Sequence, residues 1–166
     1  LPQKIFFLYV LLTCDGDFFI PFVQTLSSVF GNSIFSYLEA GNRIPEILGL
    51  LIERFTGTGY TKEDRTQLRQ MRAALESIEK AKEEKWEKRG SGSRREQTTI
   101  PRIEWLIDLG LAEKVSSDDC GRCYRFNQFG HRFASLFSSE YERLLHTKYI
   151  DEVIDSLLAE KFFILT

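Results

Sequence analysis

The sequence is poor in the residues that usually carry chemistry. Its 166 residues hold three cysteines and two histidines, and no His-Glu-x-x-His or Ser/His/Asp order stands out along the chain. An odd, small cysteine count argues against a disulfide framework, so free thiols and a reducing, intracellular compartment (cytoplasmic, or nucleoid-associated or nuclear) are the expectation. Cys120-Gly121-Arg122-Cys123 is a C-x-x-C, but only Cys14, His131 and His146 remain as further ligands, and they show no zinc spacing. No helix starts directly after it, as a thioredoxin-like redox site would need. Gly57-Thr58-Gly59 lacks the Gly-Lys-Ser/Thr ending of a phosphate loop, and Asp15 and Asp17 form a two-carboxylate turn without further ligand spacing. His131, beside Arg132 near a helix start, suits a surface or capping role. No catalytic residue, metal or cofactor is therefore assigned, and a non-enzymatic binding role is expected.

Charge of one sign is also missing. With 22 basic and 24 acidic residues the net charge is −2, so no global field draws the molecule to nucleic acid or an anionic membrane, and such binding has to be local. The longest N-terminal apolar run, Ile5 to Leu12, falls short of the roughly 20 residues that span a bilayer, and no A-x-A-like cleavage site follows it. A buried helix is the expected fate of that run, with no membrane partner. No internal repeat is present. Starting at Leu1 and ending on apolar Phe162 to Leu165, the chain reads as a piece of a longer protein.

What is present is an ordinary globular composition, 43% apolar and 28% charged, enough for one sizeable core or two small ones. Residues 1–60 form a helical, Phe-rich segment. Asp15, Gly16 and Asp17 are expected to break the first helix, and Pro21 suits the first turn of a second, which Gly31 and Asn32 stop. A short helix follows from Ile34 to Gly41. Another begins near Pro45 and buries Ile47, Leu48, Leu51, Ile52 and Phe55 before Gly57 and Gly59.

Residues 61–97 read as a long charged helix and a linker. Thr61 and Asp64 make a capping-box-like start, and Leu68, Met71, Leu75 and Ile78 recur at steps of three and four as one narrow stripe. Such a stripe suits packing on the chain's own core or pairing with a partner helix. Gly90-Ser91-Gly92-Ser93 has too little side chain to pack and is expected to be a flexible connector. From Lys80 to Arg102 eight basic residues face four acidic ones, a patch of +4 that leaves the rest of the chain at −6.

Residues 98–166 carry the clearest pattern. Thr98 or Thr99 can cap a helix with Pro101 in its first turn and Ile103, Leu106 and Ile107 at helical spacing, and Gly110 supplies a left-handed stop. Trp105, Leu106 and Leu109 widen its apolar surface, so it is expected to be buried on more than one side. Leu111 to Val115 and Cys123 to Phe126 read as two strands around a turn at Ser116 to Gly121. Asn127 can cap a further helix carrying Phe129, Phe133, Leu136 and Phe137, and a last helix is expected from about Lys148 with Ile150, Val153, Ile154, Leu157 and Leu158.

The run Ile103-x-x-Leu106-x-x-x-Gly110-Leu111, then Glu113-Lys114, then Tyr124-Arg125-Phe126-Asn127-x-x-Gly130, resembles the recognition helix and wing of winged helix-turn-helix proteins such as the MarR and PadR-like regulators. The resemblance covers about forty residues. It implies a mainly α, winged-helix-like domain with a small β-hairpin and a long helix, either in three segments or as one compact domain. In that family the helix before the hairpin enters the major groove and the wing reaches phosphate or the minor groove. The matching positions here are Thr98, Thr99 and Arg102 on the helix and Arg122 at the wing, with Lys85, Lys88, Arg89, Arg94 and Arg95 as phosphate contacts from the cationic patch. The expected partner is nucleic acid, DNA before RNA. The alternative is a protein-interaction or scaffold module of the same architecture, with a protein partner or a homodimer formed through the long helices.

Overall fold

In the computed structural model, residues 2–57, 62–83, 91–117, 120–136 and 154–155 are described. They form, in order, α1 (Pro2–Phe30), β1 (Phe35–Ser36), α2 (Tyr37–Gly41), α3 (Ile44–Gly57), α4 (Lys62–Glu83), α5 (Ser91–Leu109), β2 (Ala112–Ser117), β3 (Cys120–Phe126) and α6 (Gln128–Leu136). The described residues are mainly helical, with one small antiparallel sheet. The helix start at Thr61, the residues from Phe137 to Val153 and those from Ser156 onward lie outside the described residues.

The break expected at Asp15 to Asp17 does not occur: α1 runs unbroken for 29 residues with Pro21 inside it. A proline in a helix interior costs about 3 kcal/mol by removing a backbone hydrogen bond and crowding the preceding turn. Phe19, Ile20, Phe22, Val23 and Leu26 around it are all buried. At about 1.5–3 kcal/mol for each such side chain, their burial outweighs the proline. By length and composition α1 could cross a bilayer over Gln3–Phe30. In this fold its second half is instead a core helix, packed against α3, α5 and α6. Its first half leaves Phe6, Tyr9 and Val10 exposed.

Gly31, at φ +51°, ends α1 where the sequence suggested. Ser36 then starts α2 with a full capping box: its hydroxyl accepts from the Glu39 N–H at 3.2 Å, and the Glu39 carboxylate accepts from the Ser36 N–H at 2.7 Å. The helix α3 buries Ile44, Ile47, Leu48 and Leu51, and α4 packs on α3 with Leu68 buried and Met71 and Leu75 half-buried against the same core. Over these positions the narrow stripe of α4 faces the chain's own interior.

Two expectations for α5 fail together. Ser91, Gly92 and Ser93 belong to the helix rather than to a connector, and Thr98 and Thr99 are interior to it rather than at its cap. Burial explains the difference, because Thr99, Ile103, Leu106 and Leu109 fall on one fully buried face, and a helix anchored over that face can extend back through weak helix formers. Its end is as expected. Gly110 adopts φ +77°, with Gly110 N–H donating to Ile107 C=O at 2.9 Å and Leu111 N–H to Leu106 C=O at 2.8 Å, the two bonds of a Schellman stop.

The chain then enters the hairpin, with Ala112 opposite Phe126, Lys114 opposite Tyr124, and an irregularity between Val115 and Ser117. β1 joins the far side of β3, Phe35 opposite Tyr124, so the sheet order is β1-β3-β2. Phe35 packs its ring on Phe30 at 4.8 Å and on Phe126 at 5.7 Å. One hydrophobic cluster therefore contains residues from α1, β1, α5, the hairpin and α6.

Asn127 fastens the hairpin to α6. Its Oδ1 accepts from the N–H groups of Phe129 and Gly130, both at 3.0 Å, while its Nδ2 donates to the Gly110 carbonyl at 2.9 Å. It caps one helix and ties down the end of another. Gly130 follows for lack of room: a Cβ there would overlap the Leu111 carbonyl oxygen.

Candidate nucleic-acid interface

Arg102 lies on α5 opposite the middle of α1. Its Nε donates to Asp15 Oδ2 at 2.8 Å and its Nη2 to Asp15 Oδ1 at 2.6 Å, a two-pronged pair, and Nη1 donates to the Thr98 carbonyl at 2.7 Å. The guanidinium also stacks 4.3 Å from the Phe18 ring centre and 5.7 Å from that of Trp105. The two charged side chains are only 15% and 21% exposed. Three of its N–H groups and its aromatic contacts are engaged within the fold, so Arg102 ties α5 to α1.

The other helix candidates divide accordingly. Thr99 is fully buried, and its hydroxyl has no hydrogen-bond partner among the described residues. Thr98 is half-buried and is engaged through its carbonyl. The face that α5 turns to solvent carries Gln97, Pro101 and Asp108, with half-exposed Glu104 between them. That half of the helix is acidic. Arg94 and Arg95 belong to its first turns; their side chains, and all of Lys85, Lys88 and Arg89, lie outside the described residues.

Among the described hairpin residues, Glu113, Lys114 and Arg125 are paired locally. Lys114 donates to Glu104 at 2.8 Å, which holds its ammonium above the ordinary lysine pKa. Arg125 pairs with Glu113 on the opposite strand. Burial pushes the Tyr124 hydroxyl above its ordinary pKa, with Glu104 adding to the effect. Arg122 is exposed on β3; Asp118 and Asp119 lie outside the described residues. The structure thus brings Thr98, Thr99 and Arg102 together on the packed side of α5 and leaves Arg122 apart on the hairpin.

Two expectations about individual residues need correction. Cys123 is disulfide-bonded rather than a free thiol, whereas Cys14 is free and exposed. His131 is half-buried and packed rather than simply solvated: its Nδ1 shares a 2.8 Å hydrogen bond with the Ser27 hydroxyl, its ring lies 5.6 Å from Phe126, and its Nε2 is buried without a partner among the described residues. Among the described residues no three His, Cys, Asp or Glu side chains gather as a metal site would require.

The patch at 80–102 is not the sole cationic feature. Arg65, Arg69 and Arg72 are exposed on α4 and, with Leu68, line a cleft of about 400 Å³. The signal was available in the sequence as arginines at i, i+4 and i+7, with no acid between Arg65 and Leu75. Averaging charge over the whole helix hides it, because α4 carries six basic and five acidic residues. Compared with protein-family models, with curated proteins and with solved structures, the chain matches none.

Proposed function

We propose that this chain is a winged-helix module that binds nucleic acid through phosphate contacts, duplex DNA in preference to RNA. The observation that carries the reading is the sheet order β1-β3-β2, with α5 running directly into β2. A helix, a short strand, further helices, then a helix feeding a hairpin whose second strand pairs with the early strand is an order that winged-helix domains also use, and it supports this reading. In such domains the N-terminal turns of the helix before the hairpin approach the groove. Arg94 and Arg95 occupy those turns in α5.

Contact then falls to Arg94 and Arg95, to Lys85, Lys88 and Arg89 just before them, and to Arg122 on the hairpin. Thr99 and Arg102 hold the helix in place instead. The exposed Asp108 on the solvent face opposes close approach of phosphate, so binding is dominated by charge at one end of α5 and is weakly sequence-selective. Anisotropy titrations of labelled duplex DNA, single-stranded DNA and duplex RNA at two salt concentrations test this. Salt-sensitive binding that weakens when Arg94 and Arg95 become Ala supports it, and no binding at low salt refutes it.

A second reading, a protein-interaction module, is favoured by α1, where Phe6, Tyr9 and Val10 are 70%, 43% and 39% exposed on one helical face. Light scattering across a concentration series checks self-association: a monomer throughout excludes the homodimer form of that reading.

A further inference from the structure

Arg65, Arg69 and Arg72 are exposed on α4. They fall at steps of four and three, so their Cα atoms follow one face of α4 over about 10.5 Å. None of the ion pairs found among the described residues involves them. Glu76, the next residue on that face, is one turn beyond Arg72 and likewise takes part in none of these pairs. With Leu68, 8% exposed, they line an open cleft of about 400 Å³.

We infer that the Arg65–Arg69–Arg72 face of α4 is a phosphate-backbone site for nucleic acid, a second anchor separate in sequence from the first turns of α5. The inference rests on the nucleic-acid reading above. Guanidinium groups bind phosphate by two parallel N–H···O bonds, and their planar, weakly hydrated heads favour that oxyanion. The arginines rise by about 6 and 4.5 Å from one to the next along α4, which puts successive phosphates of one strand within reach of their long side chains. A linear polyanion with that repeat can engage all three arginines without distortion of the helix. A single small anion would engage one or two. An acidic peptide lacks tetrahedral oxyanions at that repeat, which makes it the weaker match.

The test compares the full chain with R65Q/R69Q/R72Q and with R65K/R69K/R72K, by anisotropy on a fluorescein-labelled duplex of about twenty base pairs. Circular dichroism first establishes that the helix content of both variants equals that of the wild type, as expected for exposed positions. Three lost phosphate contacts flatten the log K against log salt slope by about 2.7, so between about 50 and 200 mM salt the wild type loses about forty-fold more affinity than the glutamine variant. The lysine variant keeps most of the slope. A wild type that binds while the glutamine variant keeps the same affinity and slope overturns this site and leaves the α5 reading standing. A wild type that binds no duplex at about 50 mM salt overturns both. Loss of polyglutamate binding in the glutamine variant with duplex binding unchanged assigns the face to an acidic peptide and overturns the proposal.

Discussion

Replacing Arg102 separates a positioning role from a contact role more cleanly than any other change. Arg102→Ala removes two hydrogen bonds to Asp15, one to the Thr98 carbonyl and the stacking on Phe18 and Trp105, and it leaves a half-buried carboxylate without its partner. An exposed ion pair contributes about 0.2–1 kcal/mol, and breaking a fully buried one costs about 3–5 kcal/mol. At 15% and 21% exposure this pair lies nearer the buried limit. Solvent screening brings the expected cost to about 2–4 kcal/mol, or a fall in Tm of roughly 4–16 °C for a chain of this size. Asp15→Ala costs about 2 kcal/mol, since the stranded guanidinium keeps Thr98 and both rings. The double variant then costs about 1–2 kcal/mol less than the two single losses added together. Arg102→Lys keeps the charge and loses the fork, and falls between wild type and Ala. Urea denaturation followed by Trp fluorescence reads all four, and DNA titration of the folded variants reads the other arm. A loss under about 0.5 kcal/mol for Arg102→Ala, additive with Asp15→Ala and accompanied by lost DNA binding, would refute the internal tie.

Gly130→Ala is expected to cost about 2–3 kcal/mol, read as a lower urea midpoint, because the new methyl meets a backbone carbonyl that cannot swing away; a neutral result would mean that α6 can shift on the hairpin. Asn127→Ala, which removes the cap of α6 and the tie to the Gly110 carbonyl, should lower stability by about 1–2 kcal/mol by the same assay. Tyr124 gives a pH signature. Its folded pKa is raised above 10.0, so below that pH both folded and unfolded chains keep the proton and the full stability is present. Above it the unfolded chain ionises first, and stability falls as pH rises through the folded value. Phenolate absorbance should show one of the six tyrosines titrating late, and Tyr124→Phe should remove that late step; a single shared transition near pH 10 contradicts it.

Local signals were legible where a backbone conformation depends on one residue. Gly31 and Gly110 end their helices with positive φ, Asn127 caps α6, and the hairpin strands fall within a few residues of where alternation placed them. The Ser36 capping box was equally readable, as Ser-x-x-Glu, and was hidden only by assigning the helix start to Ile34. Local signals failed where long-range burial opposes them. Asp15-Gly16-Asp17 is a turn by composition, yet Asp15 is satisfied by Arg102, 87 positions away, and α1 passes through it unbroken. Ser91 to Ser93 is a linker by composition, yet it continues a helix nucleated by Thr99, Ile103, Leu106 and Leu109.

The candidate site follows the same division. A cation in sequence becomes a ligand contact only if no carboxylate within the fold claims it first, and pairings between distant segments are invisible to a residue count. Arg102 stood in the cationic patch and was claimed by Asp15 from α1; Lys114 and Arg125 stood on the hairpin and were claimed by Glu104 and Glu113. Arg65, Arg69 and Arg72 escaped notice because acids elsewhere on α4 cancel them in any average, although those acids are not interleaved with them on the helix face. Where in the molecule positive charge is left over is therefore a property of packing. It moves the search for phosphate contacts away from the buried half of α5 and toward its first turns and the arginine face of α4.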